Sequence, residues 1–138
     1  MDYIRQSVES LMAKYRTNDP YQLAKEMDIE VIPYSFSHIK GLVINMYGKI
    51  IIALNSNHPE ILQRAALAHE LGHFTLSPTG VGYFFLSDHT LMESKVEYEA
   101  NRFMVELLAG EEEPNINETI GQFAMRLGIP REMIRLIK

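Results

Sequence analysis

The 138-residue sequence contains no cysteine, which excludes both a disulfide framework and a thiolate-held metal. Any transition metal must then be held by imidazole and carboxylate, a donor set that suits catalytic zinc. No apolar run approaches the ~18 residues of a membrane span. The charged opening MDYIRQSVESLMAKYR also lacks the apolar centre of a signal peptide. A cytoplasmic protein with no membrane partner is therefore expected. Basic residues are in deficit: 13 Lys and Arg against 18 Asp and Glu leave a net charge of -5. That balance gives no electrostatic reason for nucleic acid as a direct partner. The remainder is ordinary for one globular domain, 46% apolar and 22% charged, over a length that fills one core but not two.

Periodicity divides the chain into four stretches of a single domain spanning 1–138. In 1–28, Ile4, Val8, Leu11 and Met12 recur at helical spacing, and NDPYQLAKEMDI carries an Asn-Asp-Pro start signal for a second, shorter helix. In 29–54 the period changes. EVIPYSF, GLVINMY and KIIIALN read as short strands, with a tight turn at Tyr47-Gly48-Lys49. A small, mainly antiparallel, three-stranded sheet packed against several helices follows, an α+β class. In 55–110 two long helices are predicted. The first is capped near 55–57 with Pro59 in its first turn; the second runs from about residue 89 to Gly110. SPTGVGYFFLSD, with its Pro and two glycines, reads as the break between them. The 111–138 stretch holds an acidic connection and two short helices.

Within the first of these helices stands ALAHELGHFTL, residues 66–76. On a helix His69 and His73 lie about 40° apart and project one turn from each other, and Glu70 lies within about 100° of both. Two imidazoles on a metal with a carboxylate beside them are what hydrolytic zinc chemistry requires. The plain alternative is a buried helix with two hydrogen-bonded histidines. A metzincin continuation is excluded, because the position six residues after His73 is Thr79.

A third ligand must come from elsewhere, and the second long helix supplies it. Val96, Ala100, Phe103, Met104, Leu107 and Leu108 share one apolar arc that includes Glu97, whereas Glu99, Arg102 and Glu106 fall on the opposite side. An unpaired carboxylate among apolar side chains would be costly, and a metal resolves that cost. Glu93 also falls on the arc, but Thr90-Leu91-Met92-Glu93 fits a capping box. Asn101, one turn beyond Glu97, is placed to hydrogen-bond and orient a ligand histidine. The alternative for Glu97 is a partly exposed helix carboxylate.

AHELGHFTL followed by VEYEANRFMVELL resembles the ImmA/IrrE family of metallo-endopeptidases, whose pattern is an AHELGH helix and then Glu-x-x-Ala-Asn-x-Phe with a following Glu-Leu-Leu. DPYQLAKEMDIEVI and IIALNSN are also similar, so the resemblance covers about the first 110 residues. It implies a zincin-like fold, one zinc ion on His69, His73 and Glu97, and Glu70 as the catalytic residue. The sequence departs from the family at Met104-Val105 and Ala109-Gly110, beyond the ligand turn.

In such a site Glu70 would move a proton from water to the leaving amine. Tyr83 and His89, in or beside the glycine-rich segment, are candidate donors to the oxyanion. The strand preceding the zinc helix is expected to offer an edge to an extended peptide. The resemblance implies a helix-turn-helix transcriptional repressor as substrate, in prophage or mobile-element regulation or a stress response. Two other readings stand beside it. One is a repressor-binding or toxin–antitoxin component that retains a zinc site. The other takes ETIGQFAMRLGIPREMIRLIK as a DNA-binding helix-turn-helix, against terminal helices that pack Phe123, Leu127, Ile134 and Leu136 on the core.

Overall fold

The computed structural model describes residues 2–76, the backbone of 83–86, and 94–137. Helix α1 (Tyr3–Tyr15) begins where the Asp2 carboxylate accepts from the amides of Ile4 and Arg5, and ends on Arg16 in the left-handed region. Helix α2 (Pro20–Glu26) is capped by Asp19, whose side chain accepts from Tyr21 N, with Pro20 opening the first turn. Three strands follow: β1 (Ile29–Tyr34), β2 (Ile39–Met46) and β3 (Lys49–Asn55). β2 and β3 form a hairpin whose two turn residues, Tyr47 and Gly48, both have positive φ. That twist matches the strands it joins. The Asn45 side chain accepts from Gly48 N and holds the turn.

Helix α3 (Glu60–Leu76) starts immediately after Pro59, whose carbonyl accepts from Gln63 N. The cap anticipated at 55–57 is not formed by Asn55. Its buried amide instead bonds the carbonyls of Phe36 and Ile39, clasping the β1–β2 connection. After α3, Tyr83–Leu86 forms β4, within the segment read from sequence as a break. Helix α4 (Lys95–Ala109) opens on Ser94, whose hydroxyl accepts from Glu97 N, so it starts later than the predicted residue 89. The capping box at Thr90–Glu93 lies outside the described residues. Helix α5 (Ile120–Leu127), with a capping box at Thr119 and Gln122, and a 3-10 helix (Arg131–Leu136) close the chain.

The architecture is α+β, as expected. The sheet has the order β1-β3-β2-β4, a fourth strand beyond the three anticipated, and β1–β3 is its one parallel pair. Because β3 lies between β1 and β2, it offers no edge to a peptide; among the described residues the outer strands are β1 and β4.

Helix α3 is the centre of the molecule. It packs on α4 on one side and on the sheet on the other, with α2 also against it. Leu67 and Leu71 of α3, Val43 and Ile52 of the sheet, and Phe103, Met104 and Leu107 of α4 belong to one continuous core. Each such side chain contributes about 1.5–3 kcal/mol by leaving water. This double coverage is why the middle of α3, from Ala65 to His73, is buried all round and apolar apart from its site residues. The C-terminal helices bury Phe123 and Leu136, with Leu127 and Ile134 packed against the core, so these side chains act as cover for the domain. Among the described residues no helix is long and apolar enough to cross a membrane.

Candidate metal centre

Three polar side chains of α3, His69, Glu70 and His73, sit at the middle of this sandwich. His69 and Glu70 are fully buried, His73 all but so. The two imidazoles meet edge to face, ring centres 4.7 Å apart. Helix α4 brings Glu97 to them from its first turn. Glu97 Oε1 lies 2.6 Å from His73 Nε2, and Glu97 Oε2 lies 3.3 Å from His69 Nε2. Each carboxylate oxygen therefore addresses one histidine. Glu97 is the member of the group that reaches solvent, with 30% of its side chain exposed.

The electrostatics separate the two carboxylates. Burial pushes the Glu97 carboxyl up, but hydrogen bonds to His69 and His73 outweigh it and bring the group to about 2. Burial drives Glu70 well above the ordinary carboxylate range, and the Glu97 charge pushes in the same direction. Burial lowers His69, opposed by its hydrogen bonds to Glu97 and to Asn101. Asn101 itself is buried. Its amide thus holds one of the two rings from α4, the arrangement that orients metal-bound imidazoles.

The donor set fits a cation. One atom from each of His69, His73 and Glu97 lies within 4.8 Å of the others. Ligands about 2.1 Å from zinc in a tetrahedron stand about 3.4 Å apart. The His69–Glu97 separation already matches, and the shorter His73–Glu97 contact is a hydrogen bond that a cation would replace. Beside this group, both oxygens of Glu70 are buried without a hydrogen-bond partner among the described residues. Such a carboxylate is costly to keep unless something else at the site uses it.

Two glycines set the spacing around the group, and neither is evident from sequence pattern. A Cβ on Gly72 would come within 3.0 Å of Phe103 Cβ, so the bare α3 backbone lets α4 approach. A Cβ on Gly41 of β2 would stand 3.3 Å from Glu70 Cγ. A glycine interrupting a helical or strand pattern is the available signal for such close approach.

The structure brings together His69, Glu70, His73, Glu97 and Asn101. Glu99 is partly covered and takes no part in the cluster. The side chain of Tyr83 and all of His89 lie outside the described residues. Arg102, assigned from the helical arc to the solvent side, is buried; it donates to Asp2 and Glu106, because α1 covers that face of α4. Val96, assigned to the core, is exposed in the first turn.

A mixed sheet against a His-x-x-x-His helix, with a second helix delivering a carboxylate, is the framework of a zincin-like metallopeptidase domain. The model of the IrrE N-terminal-like domain, Peptidase_M78, matches residues 24–137. The chain belongs to this family, the ImmA/IrrE metallopeptidases. The match extends through the C-terminal helices, beyond the first 110 residues that carried the motif resemblance. The chain is also 34% identical to "Uncharacterized immunity region protein 2" of Bacillus phage phi105, over 96% of its own length and 87% of the relative's.

Proposed function

We propose that the protein is a zinc-dependent endopeptidase that cleaves a helix-turn-helix transcriptional repressor, with His69, His73 and Glu97 holding one zinc ion and Glu70 transferring protons. The observation that carries this reading is Glu70, a fully buried carboxylate without a partner among the described residues, beside three convergent metal donors. A purely structural metal site has no use for such a group.

When bound, zinc supplies a Lewis acid that acidifies water and polarises a peptide carbonyl. Glu70 accepts a proton from the attacking water at its carboxylate and returns it to the leaving nitrogen. Burial raises this carboxyl above the ordinary carboxylate range, the direction that strengthens it as a proton acceptor. Asn101 fixes the His69 ring, and Glu97 contributes the anionic donor from α4. An extended substrate would add to the outer edge of β4, which pairs with β2 and contacts α3. The phage immunity region in the relative's name fits a repressor as the substrate.

The test is incubation of zinc-loaded wild type and Glu70→Gln with the repressor encoded beside the gene. Wild type should release fragments, while Glu70→Gln retains zinc and leaves the repressor intact. Zinc-loaded wild type that binds the repressor without cutting it would replace this reading with that of a binding component.

A further inference from the structure

Gly41 lies in β2 between Leu54 of β3 and Phe85 of β4. A glycine inside a central strand is unfavourable, since it enlarges the entropy lost on folding and packs no side chain. Its φ is not in the left-handed region, so backbone conformation does not call for glycine here. Space does. A Cβ at this position would meet Glu70 Cγ at 3.3 Å, the Ala53 carbonyl oxygen at 3.5 Å and Glu70 Oε1 at 3.6 Å. The first is tighter than ordinary carbon contact, and the group that would yield is the Glu70 side chain.

The strand is also fixed at this point. The pairing of β2 with β4 slips by one residue between Ile39 and Gly41, placing a bulge at Lys40. Bulges re-aim the backbone beside functional groups. Lys40 Nζ lies 3.5 Å from Glu132 Oε1 on the C-terminal 3-10 helix, which ties the bulge from a different element. Gly41 is thus a held stretch of bare backbone in contact with the one carboxylate at the site that has no partner among the described residues.

We infer that Gly41 is a positioning residue: the uncovered β2 backbone is the wall that sets where the Glu70 carboxylate stands relative to His69, His73 and Glu97. The inference rests on Glu70 being the proton-transfer group proposed above. Adding one methyl moves that carboxylate by a few tenths of an ångström and leaves the three metal donors in place.

Two experiments test it, and only the second needs activity. In the first, thermal unfolding of metal-free protein is compared for wild type, Gly41→Ala, Glu70→Ala and the double variant. Gly41→Ala should lower Tm by about 5 °C in wild type. In Glu70→Ala, where Cγ is gone, it should leave Tm unchanged or raise it. Equal losses in both backgrounds overturn the contact. If Gly41→Ala does not fold, the double variant should; failure of both overturns the inference as well.

In the second, zinc-loaded Gly41→Ala should cut the repressor with kcat about tenfold lower, at unchanged KM and zinc stoichiometry. Lost zinc, an unchanged kcat, or a raised KM at unchanged kcat overturns the positioning role. Absence of cleavage by wild type overturns the proposed function and the catalytic half of this inference, while a non-additive unfolding cycle still establishes the contact.

Discussion

His73 Nε2 and Glu97 Oε1 are 2.6 Å apart although they stand 24 positions apart in the chain, and His69 holds the other oxygen of the same carboxylate at 3.3 Å. One helix supplies two donors with fixed spacing and the other closes the set with a single side chain. The close approach of the two helices is therefore part of the site. Its stability comes from the apolar residues interleaved with the ligands: Leu67, Leu71, Phe103, Met104 and Leu107 are all fully buried.

The proposed site predicts that Glu97 is irreplaceable and Glu99 dispensable for metal. Glu97→Gln keeps size and polarity but removes the anionic donor, so zinc affinity should fall by more than about a hundredfold, a loss larger than that of an outer hydrogen-bond partner. Glu99→Gln should bind zinc as wild type does. Competition titration with a chromophoric chelator reads both. The reverse outcome would assign the third ligand to Glu99.

In the proposed site Asn101 should act on metal through His69. Asn101→Ala removes the hydrogen bond that orients this ring and should weaken zinc binding about 10–100-fold. The measured stoichiometry at saturating zinc should remain one ion per chain. Unaltered affinity in the same titration would reduce Asn101 to a packing residue.

How far the site could be read from sequence depends on what each residue's role rests on. His69, Glu70 and His73 are set by helix geometry alone, and Glu97 by its place on an apolar arc, so local pattern reached them. β4 was obscured because Pro78, Gly80 and Gly82 dominate its surroundings and outweigh the short YFFL run. The burial of Arg102 escaped because an apolar arc does not count ion pairs, and its partner Asp2 lies 100 residues away. Gly41 and Gly72 matter through approach of a distant element, which no local period encodes.

Gly72 gives a second test of helix approach. Alanine has a better helix propensity than glycine by about 1 kcal/mol, yet its Cβ would sit 3.0–3.1 Å from Phe103 Cβ, Cγ and Cδ1. The clash should win, with Gly72→Ala destabilising the metal-free protein by about 1–2 kcal/mol net and loosening the grip of Glu97 on the histidines. Phe103→Leu should recover part of the loss if it is combined with Gly72→Ala. Urea unfolding of the four proteins measures this, and a stabilising Gly72→Ala would refute the close-approach argument.

The Asp2–Arg102 pair predicts how stability responds to acid. The hydrogen bond from the Arg102 guanidinium, partly opposed by burial, holds Asp2 at about 2 against an ordinary 3.8. A carboxyl depressed in the folded state stabilises it fully above the unfolded value and loses that contribution as pH falls through the folded one. The pair should therefore be intact above about pH 4 and spent near pH 2. Asp2→Asn retains an N-cap oxygen for α1 and removes the charge together with the oxygen that accepts from Arg102. Because about a third of the Asp2 side chain is exposed, water screens the pair and the cost near pH 7 should be about 1 kcal/mol. That cost should shrink steadily below about pH 4 in denaturant unfolding of the metal-free protein. A difference between wild type and Asp2→Asn that persists undiminished into acid would show that the Asp2 charge does not tie α1 to the helix carrying Glu97.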